Sequence, residues 1–417
     1  MDPTQADIAT LRTEIATGRL TIPAVIEAHL DRIAVRDGAI GAFVHVAADS
    51  ALKEAAAGAQ GRLAGIPFGV KDVLDTANMP TEHGSALYSG HVPPFDAGSV
   101  ARLRRAGAIV LGKTATAEFA GTAAPATCHP MDSGRTPGGS SSGSAAAVAA
   151  GMATFALGTQ TGGSVLRPAA FCGVAGFKPT HGAWPVSGML PAAHGFDAVG
   201  AIARSADDLA EIHAAMMHLP SPVAPDAPLS IGLCRTHLWD TVSDEAAAIV
   251  EAAATAFARA GIVVVERNLP PGFEDLTAHR RLVNAFERAG NMESWAVVID
   301  GARPESQEVF ARGQNVDGAA YSTSAAALDT ARSRIGELFG GSDVLLTAVT
   351  PGVAPEGLAS TGDPRLQELW STLRCPAVTV PFGAGIAGLP IGVQLVARPW
   401  ADVRLLDAAR HLERLRG

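Results

Sequence analysis

Two glycine-serine loops constrain this chain most: Gly138-Gly139-Ser140-Ser141-Ser142-Gly143-Ser144 and Thr161-Gly162-Gly163-Ser164. Between them, Ala145 to Gly151 reads as a helix opened by serines and closed by glycine, and Thr154 to Thr159 as a buried strand. A helix of roughly ten residues carries the chain about 15 Å outward. A strand of five or six residues carries it about 17 to 20 Å back. Ser140 and Ser164, 24 positions apart, can therefore meet at one edge of a sheet, which is an active-site geometry.

The surrounding pattern is α/β. At 417 residues the chain is long enough for one large domain or two smaller ones, and 47 % apolar with only 18 % charged residues fits strands covered on both faces. Residues 5–35 give two amphipathic helices carrying Leu11, Ile15, Leu20, Ile26 and Leu30. Gly65 to Asp72 reads as a short buried strand ending in Lys71, and Ser99–Ala106 and Ala108–Gly112 continue the helix-strand alternation. A Gly/Pro-rich stretch runs on to Gly195, Ser205–Met217 is helical, and Leu219–Pro228 reads as an exposed connection. Residues 229–342 alternate again (Leu229–Leu233, Asp244–Ala260, Gly261–Glu266, then helix from Thr277 to Phe339), as a second lobe or as more of one sheet. Buried-strand signals at Val344–Thr347, Ala377–Pro381 and Ile391–Ala397 precede a last amphipathic helix, Val403–Leu415. The expected organisation is one domain in four stretches: N-terminal helices 1–60, catalytic core 61–200, a second α/β part 201–342 and a C-terminal return 343–417.

Several classes fall away. A net charge of −9 disfavours nucleic acid as a ligand. The longest apolar run, Ala145 to Leu157, is too short and interrupted to span a membrane, and the polar N-terminus (Asp2, Asp7, Arg12, Glu14) reads as no signal peptide. Cys128, Cys172, Cys234 and Cys375 form no CxxC pair and the twelve histidines no HExxH, so a reduced, cytoplasmic protein without metal or cofactor is expected. His129, near the serine loops, is read as a loop hydrogen-bonding residue rather than a base.

A serine nucleophile needs a base. No histidine presents itself, but Lys71 ends an apolar strand, where desolvation lowers its pKa and makes it a proton acceptor. The competing reading is a lysine that reaches solvent or pairs with Asp72. Thr161, Gly162, Gly163 and Ser164 offer successive backbone N–H groups, a nest for an oxyanion if the glycines take unusual φ and ψ. Pro168 is expected to open a short helix ending at Gly173, with Arg167 extended before it. The Arg167 guanidinium is then placed to hold a substrate carboxylate through two parallel hydrogen bonds, or else to pair with a structural acid.

With Gly69-Val70-Lys71-Asp72, Pro137-Gly138-Gly139-Ser140-Ser141, Gly158-Thr159-Gln160-Thr161-Gly162-Gly163-Ser164, Pro168 to Gly173, Gly176-Phe177-Lys178-Pro179 and Gly388 to Gln394, the chain resembles the amidase signature family over roughly residues 60–400. The resemblance implies a single α/β domain on a large, mostly parallel mixed sheet. It also implies a Ser-cisSer-Lys triad: Ser164 as acyl-forming nucleophile, Ser140, after a cis peptide bond, as relay, and Lys71 as base. Thr161 to Ser164 would form the oxyanion hole, and Arg167, Thr159 and Gly139 would contact substrate. Departures are Ser142 for the usual glycine, Gln160 for aspartate and Leu166 for arginine, with Arg167 one place later. Those features are most similar to bacterial malonamidases, implying a small amide bearing a carboxylate as substrate and a homodimer. The alternatives are a ureido acid or carbamate, or the amidase component of a tRNA-dependent amidotransferase. A rival motif, GxSxG at Gly139 to Gly143, would make Ser141 an α/β-hydrolase nucleophile.

Overall fold

The computed structural model describes residues 1–222 and 230–416. The expected exposed connection at 219–228 therefore falls largely outside the described residues. Among them, eleven strands form one sheet: β1 (Phe43–Val46), β2 (Pro67–Lys71), β3 (Ile109–Thr114), β4 (Phe155–Gln160), β5 (Ala175–Lys178), β6 (Ala198–Ala203), β7 (Ser230–Cys234), β8 (Val263–Arg267), β9 (Val344–Ala348), β10 (Ala377–Ala384) and β11 (Pro390–Ala397). Their order is β1-β3-β2-β4-β6-β5-β10-β11-β9-β7-β8. Residues 229–342 thus extend the same sheet through β7 and β8, which reach it by parallel pairing of β7 with β9.

The sheet is mixed rather than mostly parallel. Parallel pairs are confined to two wings, β3-β2-β4 and β9-β7-β8. The strands between them, from β4 through β6, β5, β10 and β11 to β9, all pair antiparallel. Both faces are buried, as the apolar composition requires. Phe155 and Leu157 join one core cluster and Ala156 the other, and Val344 and Leu346 separate from Leu345 in the same way. Helices such as Ala206–Met217 and Asp402–Leu415 supply Leu209, Ile212, Leu405 and Leu412 to the first cluster; Ser142–Ala149, Leu166–Cys172 and Leu276–Met292 supply Val148, Ala169 and Val283 to the second.

This arrangement sets the site. β2 and β4 are adjacent and parallel, so Lys71 and Gln160 end at the same sheet edge. The helix Ser142–Ala149 and then β4 bring the second glycine-serine loop back beside the first, where Ser141 N donates to Ser164 O at 3.2 Å.

Candidate active site

Lys71 is fully buried at the end of β2. Its Nζ donates to Ser140 Oγ at 2.7 Å and to Thr159 Oγ1 at 2.8 Å. Asp72 is not its partner; that carboxylate lies 3.8 Å from Lys113. Burial drives the Lys71 pKa well below the ordinary lysine value, Asp197 opposes this, and the positive charges of Arg288 and Arg167 reinforce it. An amine whose neutral form burial favours is thus held against a serine hydroxyl. Thr159, expected to contact substrate, meets Lys71 and is not among the residues lining the cavity.

The peptide bond Gly139–Ser140 is cis. Ser141 is fully buried, with its Oγ 3.3 Å from both the carbonyl and the N–H of Thr159. It does not line the cavity that Ser164 lines, and no strand directly precedes its loop, both of which count against the GxSxG reading. Ser142 Oγ donates to Gly138 O at 2.7 Å, closing the first loop on itself.

Ser164 is half-buried and, with Thr161, Gly162 and Gly163, lines a cavity of about 400 Å³. The backbone N–H groups of Gly162, Gly163 and Ser164 meet no protein acceptor among the described residues. Neither glycine takes a positive φ. They are needed for closeness: a Cβ on Gly163 would sit 2.1 Å from Gln367 Oε1, and one on Gly162 3.0 Å from Arg280 Nη2. Gln160 secures the loop's far end, its Oε1 accepting from Val165 N at 2.9 Å and Leu166 N at 3.1 Å. Its amide donates to Ser371 Oγ at 3.2 Å, and Ser371 Oγ in turn to Gly162 O at 2.6 Å. An aspartate could accept but not donate this second bond.

Arg167 corrects two expectations. It lies inside the helix Leu166–Cys172 rather than in an extended segment, because Pro168 falls within the first turn, where a missing N–H costs nothing. Its Nε donates to Thr361 O at 2.7 Å, and its Nη2 to Gly139 O at 2.6 Å and Thr361 Oγ1 at 3.1 Å. The two-bond fork is thereby occupied by protein, and only Nη1, buried and without an acceptor, is left. Burial pushes the Arg167 pKa down to about 10, so it stays charged at neutral pH.

The remaining lining was not legible as a motif. Arg280, Arg281 and Arg288 come from the helix Leu276–Met292, and Arg312 from Pro304–Gln314. With Arg167 they make five guanidinium groups around the cavity, against one lining carboxylate, Glu368. Arg280 bridges Glu368 and Thr161 O, each at 3.1 Å; Arg288 donates to Phe119 O at 3.2 Å. Thr161 Oγ1 donates to Asp197 at 2.6 Å. His129 bonds Phe171 O at 2.8 Å, a loop hydrogen-bonding role.

The family model described as Amidase matches residues 24–406. The chain belongs to the amidase family. It is therefore an enzyme acting on amide C–N bonds. Among curated relatives it is 35 % identical to a glutamyl-tRNA(Gln) amidotransferase subunit from Anaeromyxobacter sp. (strain K), covering 96 % of this chain and 94 % of that one. Among solved structures it is similar to a chain of a vestigial protein complex that reveals the evolutionary origins of an s-triazine catabolic enzyme, at 30 % identity, TM-score 0.89 and 98 % of each chain. It is also similar to the peptide amidase of Stenotrophomonas maltophilia, at 29 % identity and TM-score 0.84, over 98 % of this amidase and 96 % of that one.

Proposed function

We propose that this amidase hydrolyses a small amide bearing an acid group, through an acyl-enzyme on Ser164. Ser164 Oγ adds to the amide carbonyl carbon. Its proton moves to Ser140 Oγ while the Ser140 proton moves to neutral Lys71, and the oxyanion is held by the N–H groups of Gly162, Gly163 and Ser164. The C–N bond then breaks, the proton returns along the same path to the departing nitrogen, and ammonia leaves. Water attacks the acyl-Ser164 by the same relay and releases the acid.

The observation that carries the acid group is the cavity's charge: of five lining arginines Arg280 is paired with Glu368 and Arg312 with Glu308, which leaves Arg167, Arg281 and Arg288 with no ion pair among the described residues. Buried guanidinium groups are costly without a counter-charge, and a substrate acid supplies it. Arg288 is the assigned reader, since its one hydrogen bond among the described residues is to a backbone carbonyl and it lies close enough to Lys71 to depress that pKa. Malonamate-like amides and ureido acids both meet this requirement. The test is ammonia release from paired amides with and without an acid group. Arg288→Gln should lower kcat/KM for the acid-bearing member by about 10- to 100-fold, the worth of a charged hydrogen bond, and spare the neutral one. Arg281→Ala, at an exposed position, should move the acid-bearing substrate in the same direction. A wild-type preference for the neutral amide would end the proposal.

The curated relatives favour a second reading, the ammonia-releasing component of an amidotransferase assembly. Glutamine is itself an amide with a carboxylate, so the same cavity admits it. The particle purified after expression with its neighbours in the cell separates the readings: an unlike partner chain in equal amount supports the assembly, a lone chain or a homodimer with full turnover the free hydrolase.

A further inference from the structure

In the loop that follows β2, Asp75, His83 and His91 face one another. One donor atom from each lies within 4.8 Å of the other two. We propose that these three side chains form a binding site for a first-row divalent transition metal, zinc foremost.

The donors are held for a ligand that the protein does not supply. His83 is only 4 % exposed, and its Nδ1 is buried with no hydrogen-bond partner. A buried ring nitrogen left unpaired is costly, and a metal ion relieves it. Tyr88 packs edge-on against both imidazoles, with centroids 4.5 Å from His83 and 5.7 Å from His91.

The backbone is fixed as well. Buried Lys113 donates to Leu74 O, Thr76 Oγ1 and Thr81 Oγ1 at 2.5, 3.2 and 2.7 Å, and Thr81 N donates to His91 O at 2.8 Å. Asp75 is pinned on both sides, its N to Gly188 O at 2.8 Å and its O from Ala97 N at 2.7 Å. Lys113 lies 3.8 Å from Asp72, and the carboxylates of Asp72, Asp75 and Asp96 together offset its charge. Two imidazoles and a carboxylate suit zinc, nickel or copper rather than calcium or magnesium, which prefer all-oxygen shells. Bonds of about 2.0 to 2.2 Å draw the donors together, and the exposed His91 ring is free to turn inward.

The test uses the full chain stripped with EDTA and titrated with Co²⁺ and Zn²⁺. The expected result is one equivalent bound, a visible Co²⁺ absorption band that Zn²⁺ displaces, and a higher Tm with Zn²⁺ but not with Mg²⁺ or Ca²⁺. Asp75→Asn and His91→Ala should each weaken binding by more than the about 10- to 100-fold that loss of an outer partner costs, with amidase turnover unchanged. His91 is exposed, so its variant folds. No Co²⁺ band in the wild type, or equal affinity in both variants, overturns the site.

Discussion

In the proposed mechanism Lys71 is the base, and its burial has two opposite effects. In the unfolded chain it binds a proton below the ordinary lysine value of 10.5; in the folded chain it does so only at a much lower pH. Between those limits the unfolded state holds the extra proton, so folding is opposed there and stability rises with pH. Activity is lost as pH falls through the depressed folded pKa, because the base becomes an ammonium. Lys71→Met should therefore cost at least the about 10²- to 10⁴-fold that general-base catalysis supplies, while Tm at neutral pH rises or holds. A fall in Tm would mean that the Ser140 and Thr159 contacts outweigh desolvation. Arg167→Gln should depress turnover of acidic and neutral amides alike, since it frees Gly139 O and Thr361. Equal sparing of the neutral amide would restore Arg167 as a substrate reader. The meeting of Lys71 with the two serine loops was legible because each ends or interrupts a buried element in sequence. Arg280 and Arg288 were not, because the side of the helix Leu276–Met292 that meets the cavity is decided by tertiary packing, and the carbonyls they bond, Thr161 O and Phe119 O, lie 119 and 169 positions away.

At the level of elements, the nucleophile loop is held from its far end by one side chain. Gln160 caps the helix Leu166–Cys172 by accepting from Val165 and Leu166, immediately after Ser164. Gln160→Ala leaves both N–H groups unpaired in a buried setting. It should cost about 0.5 to 2 kcal/mol, as loss of a helix cap does, read by urea unfolding, and should lower kcat as Ser164 loses its placement. Unchanged kcat would show that Gly163 packing against Gln367 is enough to hold the loop. The order helix, strand, loop between Ser140 and Ser164 was readable to within a few residues, from Ser142–Ala149 and Phe155–Gln160. The reason for Gly162 and Gly163 was not: φ is ordinary there, and the crowding comes from Gln367 and Arg280, far along the chain.

Among the described residues the molecule is one sheet with a core on each face, and the apolar composition anticipated the two buried faces but not the single sheet. Composition and local periodicity carry no strand direction, so the antiparallel centre joining two parallel wings could not be read from them. Nor could the continuation of the sheet into β7 and β8, since a second lobe has the same alternation. Among the described residues no helix is long and apolar enough to cross a membrane. The question at this scale is whether the chain by itself completes the acylation half of the reaction. Intact-mass and peptide mass spectrometry of the purified chain, mixed with an acid-bearing amide and quenched within one turnover, answers it. The account predicts an acyl adduct on the peptide holding Ser164, intercepted by hydroxylamine as a hydroxamate and absent in Ser164→Ala. An adduct on Ser141, or full turnover in Ser164→Ala, would contradict it.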